Sequence, residues 1–264
     1  MFHDTYFIFI AKGGSLTFPD FFIVYGANSF IGSEFAKMIR PEVKKLILFY
    51  PKKTDKIAEL LPAENVKAIQ SDILDFNDFK KKIHDLREEN CINNLGAVYF
   101  STYRSVDHKP LGETGLDLTK NIIDVNLFGA IHFLKGIFSI NQSVASTRIV
   151  MLGSHVSRIG LKNGSVYAAT KAAIANLTRS VAMEEGIHNT LINTVSPGPV
   201  ETDNKDFSAE YTKFRQEYFD TQLRLTSLKR LASVSEICQL IMFLTSMENK
   251  HITGEELFIT GGSL

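Results

Sequence analysis

A tyrosine and a lysine stand four residues apart in the run Tyr167-Ala168-Ala169-Thr170-Lys171. In a helix, two side chains at this spacing leave the same face about one turn apart. A phenol with a pKa of about 10 is a poor acid at neutral pH, but a neighbouring ammonium stabilises the phenolate and lowers that pKa. The pair could therefore transfer a proton to or from a substrate oxygen. Because the same spacing is common on helix surfaces, further residues must support this interpretation.

Two other polar residues could complete such a site. Ser154 follows the apolar run Ile149–Leu152 and precedes Tyr167 by thirteen residues. A strand end and a helix start could thus bring both hydroxyls to one substrate oxygen. Asn126 lies in an apolar helical stretch, where an amide is expected to be buried and to need hydrogen-bond partners. Its alternative role is structural, as an amide that fills a kink in the helix.

A glycine-containing loop follows the apolar run Phe21–Tyr25 and precedes a helical pattern. Its sequence is Gly26-Ala27-Asn28-Ser29-Phe30-Ile31-Gly32. Glycines between a strand and a helix let the backbone approach a pyrophosphate at the helix N-terminus. A plain tight turn is the alternative.

The end of the next predicted strand bears on the choice of cofactor. An acidic residue about 20 residues after the loop would bind the ribose 2′-hydroxyl of NAD, but the chain has Tyr50-Pro51-Lys52-Lys53 there. Two lysines could instead balance a 2′-phosphate, so the sequence favours NADP(H) over NAD(H). A solvated lysine turn is the alternative. Asp72, after the third predicted strand, could bind an adenine amino group or close an ordinary turn.

Short apolar runs alternate with amphipathic stretches of helical length, which predicts a parallel sheet covered by helices. The predicted strands are Phe21–Tyr25, Leu46–Tyr50, Val66–Gln70, a weaker one just before Asn93, Arg148–Leu152, Leu191–Val195 and Glu256–Thr260. The predicted helices include Asp55–Leu61, Asn77–Glu89, Leu118–Ser139, Val166–Glu185 and one that a capping box opens at Ser233–Glu236. Residues 199–232 interrupt the alternation and are interpreted as a small lid, either mobile or helical. One domain over 16–264 is expected, after an N-terminal extension over 1–15.

The composition is that of an ordinary globular protein and argues against several functions. The chain of 264 residues has 29 Lys and Arg against 29 Asp and Glu, so no basic surface for nucleic acid is indicated. Cys91 and Cys238 have neither metal-ligand nor redox spacing, and we expect no metal site and a cytoplasmic location. No stretch reaches the roughly 18 apolar residues of a membrane helix, so no membrane partner is expected.

Taken together, these residues resemble the short-chain dehydrogenase/reductase family, in its short single-domain branch. The resemblance runs from about Leu16 to Leu264 and rests on the loop Gly26–Gly32, Asp72, Asn93-Asn94-Leu95-Gly96, Asn126, Ser154, Tyr167 with Lys171, Pro197-Gly198-Pro199-Val200 with Thr202, Ile252-Thr253-Gly254 and Gly261-Gly262. It implies an α/β fold, a Rossmann-like doubly wound parallel sheet in three αβα layers with a small lid. It also implies hydride transfer between NAD(P)(H) and a small-molecule carbonyl or secondary alcohol. A homodimer or homotetramer would form through the helices of Asn126 and Tyr167.

The resemblance implies a role for each matching residue. Tyr167 would be the general acid/base, Lys171 would lower its pKa and hold the nicotinamide ribose, and Ser154 would orient the carbonyl. Asn126 would support a water relay behind Lys171. The implied cofactor contacts, of which Asn94 to Gly96 would line the adenosine side, are Tyr167 and Lys171 together with Gly26, Asn28, Ser29, Phe30, Ile31, Gly32, Tyr50, Lys52, Lys53, Asp72, Ile73, Asn94, Leu95, Gly96, Pro197, Gly198, Val200 and Thr202. Substrate contacts are expected from His155, Phe100, Tyr103 and Tyr218, with simple packing as their alternative role.

The chain departs from the family pattern in two places. Phe30 stands where the family loop has its second glycine, and Leu95 replaces a small alanine. Phe30-Ile31-Gly32 instead resembles the epimerase branch, with Ser29 at the middle glycine of that pattern. Two alternatives therefore stay open: a protein that binds a nucleotide or metabolite without turnover, and an epimerase or lyase that uses NAD(P) transiently. The spacing of Ser154 and Tyr167 fits the short branch better.

Overall fold

The computed structural model describes residues 15–100, 109–141, 143–201 and 209–263, without the side chains of residues 209–211 and 214. The N-terminal extension expected over 1–15 therefore lies almost wholly outside the described residues.

Seven parallel strands form the centre of the fold: β1 Phe21–Tyr25, β2 Lys45–Tyr50, β3 Val66–Gln70, β4 Asn94–Tyr99, β5 Ser146–Leu152, β6 Thr190–Pro197 and β7 Glu256–Ile259. Their order in the sheet is β3-β2-β1-β4-β5-β6-β7. The chain thus starts in the middle, winds outward to β3, returns to β4 beside β1, and winds outward again to β7. This confirms the doubly wound parallel sheet expected from the sequence.

Helices cover both faces of the sheet: α1 Phe30–Ile39, α2 Phe76–Glu89, α3 Leu116–Ile123, α4 Gly129–Asn141, α5 Val156–Ile159, α6 Ser165–Glu185, α7 Ala209–Leu225 and α8 Val234–Thr245. A π-helical turn, Asp124–Phe128, joins α3 to α4 without a break. β1 and β5 are buried along their whole length. Strands buried on both faces read as continuous apolar runs, which is why the sequence predicts them well.

Two apolar cores separate the three layers. Residues from α2, α4 and α6, such as Phe79, Phe133 and Ile174, pack on one face of the sheet. Residues from α1 and α8, such as Phe35 and Ile241, pack on the other. The single-domain αβα architecture follows from these two buried faces.

Two predicted elements differ from the observed ones. The helix expected at Asp55–Leu61 is only a short 3₁₀ turn, Ala58–Leu60. The fourth strand does not precede Asn93 but begins at Asn94. Both differences affect the functional site described below.

The helical stretch Leu116–Asn141 is long and apolar enough to cross a membrane. In the protein, its residues Phe133, Ile137 and Ile140 are buried in the core against the sheet. The core helix of a globular protein passes the same length and composition test, so this feature gives only weak evidence for a membrane span.

The predicted lid contains a helix, α7. Val200 and Ala232 form an isolated β-bridge that closes the base of this insertion. Arg215 of α7 donates a hydrogen bond from Nη2 to the carbonyl oxygen of Val200, at 3.0 Å. In the part that the structure describes, the insertion is therefore helical, the second of the two forms expected from the sequence.

Candidate functional site

The carboxyl ends of parallel strands lie at one edge of a sheet, and ligands of doubly wound folds bind there, where the strand order reverses. In this sheet the reversal falls between β1 and β4. The glycine loop follows β1, the Ser154 turn follows β5, and Pro197 ends β6. The fold thus brings three of the sequence motifs to one edge.

Tyr167 and Lys171 lie on α6 and are both almost fully buried. Lys171 is only 1% exposed, and its Nζ donates a hydrogen bond to the carbonyl oxygen of Leu152 at 2.8 Å. The same Nζ lies 5.8 Å from the centroid of the Tyr167 ring. Leu152 ends β5, two residues before the half-buried Ser154. The structure thus brings the ammonium next to the phenol and ties it to the strand that carries the serine.

Asn126 is fully buried within the π-helical turn. Its Nδ2 donates to Thr170 Oγ1 at 3.1 Å, and that hydroxyl donates to the carbonyl oxygen of Tyr167 at 2.7 Å. The amide therefore contacts the residue that directly precedes Lys171. It also occupies a helix distortion, so the structural role considered for Asn126 and the catalytic one are both compatible with its position.

The glycine loop is shaped by close backbone packing. Gly26 has φ +77°, a left-handed conformation that favours glycine. A Cβ on Gly32 would lie 2.3 Å from the carbonyl oxygen of Gly26, so the first turn of α1 can approach the loop only without a side chain there. Ser29 caps α1, and its Oγ accepts a hydrogen bond from Gly32 N at 3.0 Å. The glycines therefore let the backbone pack closely at the N-terminus of α1, the arrangement in which dinucleotide-binding folds hold a pyrophosphate.

Asn28 fastens the glycine loop to the loop after β2. Its Nδ2 donates to Asp55 Oδ1 at 2.9 Å, and its Oδ1 accepts from Lys56 N at 2.8 Å. The hydrogen bond from Asn28, assisted by Lys56 and Lys53, lowers the pKa of the Asp55 carboxyl below its usual value. Sequence reasoning missed Asp55, because it stands beyond the strand end at which a carboxylate was sought.

The other predicted contacts on this side lie at the ends of β2 and β3. Tyr50 ends β2, and Lys52 and Lys53 follow it, exposed to solvent. Asp72 accepts a hydrogen bond from Leu74 N at 3.0 Å, the local turn considered as its alternative role. Ile73 is buried in the core.

The prediction that Asn94, Leu95 and Gly96 line the adenosine is wrong. Asn94 begins β4, and Leu95 is paired with Phe21, the first residue of β1. These residues therefore lie at the amino edge of the sheet, away from the glycine loop. Gly96 has a packing role instead, because a Cβ there would lie 2.3 Å from the ring of Phe22. The residues that reach the carboxyl edge are Tyr99, paired with Tyr25, and Phe100.

Phe100 is not a substrate contact either. It is buried in the core between the sheet and α1, with its ring centroid 5.5 Å from that of Phe35. The side chain of Phe100 therefore packs in the apolar core and does not line an open site. Tyr103 and Thr202 lie outside the described residues.

His155 and Tyr218 meet directly above the β5 edge. His155 Nδ1 lies 3.2 Å from the carbonyl oxygen of Pro197, which can only accept, so Nδ1 carries the proton. Nε2 lies 2.9 Å from Tyr218 Oη, and in the neutral imidazole it accepts a hydrogen bond from that hydroxyl. The pair connects the lid helix α7 to the residue next to Ser154, and substrate contact by either residue stays a prediction.

The segment after β6 is held from two sides. Gly198 N donates to the carbonyl oxygen of Ile259 at 2.8 Å, and Pro199 accepts from Ala232 N at 3.2 Å. Val200 is buried beside Ala232. Pro197, Gly198 and Val200 thus stand at the edge as expected. Within the described ranges, no three His, Cys, Asp or Glu side chains come together as a metal site.

This parallel sheet, with a glycine loop after β1 and a buried lysine beside a tyrosine at the same edge, defines a dinucleotide-binding type of α/β protein. A family model described as enoyl-(acyl carrier protein) reductase matches residues 26–263. The chain belongs to the short-chain dehydrogenase/reductase family, as the resemblance indicated.

Known members of the family resemble the chain over nearly its whole length. Acetoacetyl-CoA reductase from an Acinetobacter strain is 26% identical, covering 91% of this chain and 96% of that enzyme. The solved short-chain dehydrogenase/reductase from Brucella melitensis is 27% identical with a TM-score of 0.80, covering 95% of this chain and 99% of that one. The 3-oxoacyl (acyl-carrier-protein) reductase from Agrobacterium tumefaciens, solved with NADP bound, is 22% identical with a TM-score of 0.77, covering 92% and 93%.

Proposed function

We propose that this protein is an NADP(H)-dependent oxidoreductase that interconverts a carbonyl compound and a secondary alcohol, with Tyr167 as the general acid/base. The observation that carries this proposal is the buried pair on α6: Lys171 Nζ stands 5.8 Å from the ring of Tyr167 and bonds the end of β5, two residues before Ser154. NAD(H) is the second candidate cofactor.

The residues present fit a bound dinucleotide. Gly26 and Gly32 have no side chains, so the backbone of the loop lies close to the N-terminus of α1 and is open to a phosphate group at these two positions. Lys52 and Lys53, exposed after the end of β2, offer positive charge that could balance a 2′-phosphate. When bound, the nicotinamide gives a hydride to the carbonyl carbon or takes one from the alcohol carbon.

The chain's own residues supply the remaining chemistry. In the direction of reduction, Tyr167 donates its phenolic proton to the carbonyl oxygen, so the carbonyl gains one hydride and one proton and becomes an alcohol. Ser154 donates a hydrogen bond to the same oxygen and fixes its orientation. The Lys171 ammonium stabilises the phenolate that results and holds the nicotinamide ribose. Asn126, in the π-helical turn, supports a water relay behind Lys171.

A substitution at Tyr167 tests this proposal. Because Tyr167→Phe removes only the phenolic hydroxyl and keeps the ring, we expect kcat to fall at least about 100-fold, while the Kd for NADPH stays within about threefold. Turnover is measured as NADPH consumption with acetoacetyl-CoA and a panel of simple ketones, and binding by NADPH fluorescence. Retained turnover would refute the role of Tyr167. If the wild-type protein binds neither NADPH nor NADH at millimolar concentration, the proposal that it is an NAD(P)(H)-dependent enzyme is refuted.

Two other functions remain candidates on specific observations. Phe30 stands where the family loop has a second glycine, which favours a protein that binds a nucleotide or metabolite without turnover. Tight NADPH binding with no consumption in the whole panel would support it. The run Phe30-Ile31-Gly32 favours an epimerase or lyase, which would change its substrate without net consumption of NADPH.

We also propose a homodimer or homotetramer in the cytoplasm. Apolar side chains are exposed on the helices expected at the interface: Met183 of α6 is 77% exposed, and Phe128, in the π-helical turn, is 49% exposed. Exposed apolar surface of this kind supports association.

A further inference from the structure

In the π-helical turn around Asn126, the N–H of Gly129 bonds a different carbonyl oxygen from the one it would bond in an α-helix. In an α-helix, the carbonyl oxygen of Val125 would accept from the N–H of Gly129, four residues on. Here Gly129 N donates instead to Asp124 O. A π-turn of this kind inserts one residue into the helix and redirects the side chains within it. The redirected side chain at the centre of this turn is the fully buried Asn126.

Tyr99 supplies the Val125 carbonyl with a side-chain donor. Its Oη donates a hydrogen bond to that oxygen at 3.1 Å, from the last residue of β4. A Cβ on Gly129 would lie 2.5 Å from the Tyr99 hydroxyl, so glycine at this position is what lets the phenol reach the turn. The Tyr99 hydroxyl thus bonds the π-turn to β4, and Gly129 leaves the space that this hydroxyl needs.

From Asn126 the contacts continue to the acid/base pair. The amide donates to Thr170, and Thr170 donates to the carbonyl oxygen of Tyr167. We propose that Tyr99 is a positioning residue, which holds the π-turn so that Asn126 faces the helix carrying Tyr167 and Lys171. This inference rests on the proposed function, because it assigns Tyr99 to the reaction that this pair performs.

A second tyrosine provides a matched control. Tyr25 is stacked on Tyr99, with ring centroids 5.6 Å apart and an interplanar angle of 25°. Its hydroxyl also donates to a backbone carbonyl, that of Ser71, at 2.9 Å. Both phenols are buried in the same core. The Tyr25 hydroxyl also forms a hydrogen bond with the backbone of Ile73. Loss of either hydroxyl thus removes hydrogen bonding to the backbone, but of the two hydroxyls it is that of Tyr99 that bonds the turn around Asn126.

The test compares Tyr99→Phe with Tyr25→Phe. We expect both variants to unfold at lower urea concentrations than wild type, since each loses side-chain hydrogen bonding to the backbone. Tyr99→Phe should lower kcat for NADPH-dependent reduction at least fivefold, with KM within twofold and a shifted pH dependence of kcat. Tyr25→Phe should keep the wild-type kcat and pH profile. Equal kcat values in both variants would overturn the inference.

Two further measurements separate positioning from general destabilisation. Amide hydrogen exchange over residues 124–130 should be faster in Tyr99→Phe and unchanged in Tyr25→Phe. In an Asn126→Ala background, Tyr99→Phe should cause no additional loss of kcat, because the residue through which it acts is gone. An additional fivefold loss in that background would contradict action through Asn126.

If Tyr99→Phe does not fold, Gly129→Ala provides the second variant, because its methyl group displaces the Tyr99 hydroxyl from Val125. We expect the same loss of kcat, and wild-type kcat would overturn the inference. A wild-type protein without turnover would contradict the proposed function instead. In that case unchanged hydrogen exchange over 124–130 in the variants would still refute the role of Tyr99 at the π-turn.

Discussion

The charges of Lys52 and Lys53 are exposed at the end of β2, where single substitutions can remove them without disturbing the core. If they balance a 2′-phosphate, their replacement weakens NADPH binding and leaves NADH binding nearly unchanged. For the double variant Lys52→Ala and Lys53→Ala, we expect the Kd for NADPH to rise about tenfold, which corresponds to about 1.4 kcal/mol. Fluorescence titrations with each cofactor measure both constants.

The exposed lysines of α2 provide the control for that experiment. Lys80→Ala with Lys81→Ala removes the same charge from a helix that lies away from the glycine loop, and neither Kd should change. If Lys52 and Lys53 affect NADPH and NADH equally, the lysines form only a solvated turn and the preference for NADP(H) is lost.

Single residues were predictable where their chemistry depends on local spacing. Tyr167 and Lys171 come together as their helix spacing predicts, and Asn126 is buried and hydrogen-bonded, to Thr170, as its place in an apolar helix predicts. The short motif Asn93-Asn94-Leu95-Gly96 was misleading, because it resembles a strand-end motif while the apolar run continues through Ala97 and Val98 to Tyr99. Asp55 could not be found at all, since its place depends on the side chain of Asn28, twenty-seven residues away.

Among the elements, α8 shows how local charge stabilises a helix start. Ser233 and Glu236 form a reciprocal capping box, and Arg230 donates two hydrogen bonds to the Glu236 carboxylate. The hydrogen bonds from Arg230, followed by those of Ser233, lower the pKa of Glu236 from 4.5 to about 2. The carboxylate therefore stabilises the fold above pH 4.5, and this stabilisation is lost as the pH falls toward 2.

Glu236→Gln should accordingly lower the midpoint of thermal unfolding at pH 7 and have little effect near pH 2. The difference from wild type should shrink between pH 4.5 and 2, as measured by circular dichroism. Glu64→Gln removes an exposed loop carboxylate and is the control. If the difference in unfolding midpoint between Glu236→Gln and wild type does not change with pH, the loss of stability comes from the shape of the glutamine side chain and not from the lost charge.

Elements were predictable where tertiary contacts agree with local preference. The fully buried strands and the capping box of α8 belong to this group. The helix expected at Asp55–Leu61 fails because Asp55 and Lys56 N are bonded to Asn28, which holds the chain in a loop and leaves only the 3₁₀ turn Ala58–Leu60. The buried amide of Asn126 suggests a kink in this helix, but the π-helical form of that kink is not predictable from the local sequence, since Tyr99 of a distant strand and Gly129 pack against it.

For the whole molecule, the exposed small residues of α6 lead to a test of association. Ala172 lies at the surface of α6, and an arginine there should fit an exposed helix without cost to folding. In a dimer formed through this helix, the same substitution places two charges in a close helix contact. We expect Ala172→Arg to be monomeric and wild type dimeric or tetrameric in sedimentation experiments at equal concentration.

The control for association is His84→Arg, which adds the same side chain to the exposed face of α2 and should leave the mass of the particle unchanged. A monomeric wild type, or an Ala172→Arg protein with the wild-type mass, would contradict an interface through α6.

The bonds of Asn28 to Asp55 and Lys56 also matter for attempts to redesign cofactor preference. Grafting the loop after β2 from a relative is an obvious engineering strategy. Here, however, the side-chain amide of Asn28 in the glycine loop forms the hydrogen bonds that connect it to the loop after β2. A graft that omits Asp55, or alters its distance in sequence from β2, would loosen the phosphate side of the site as well. Successful chimeras of this protein should therefore exchange both loops as one cassette.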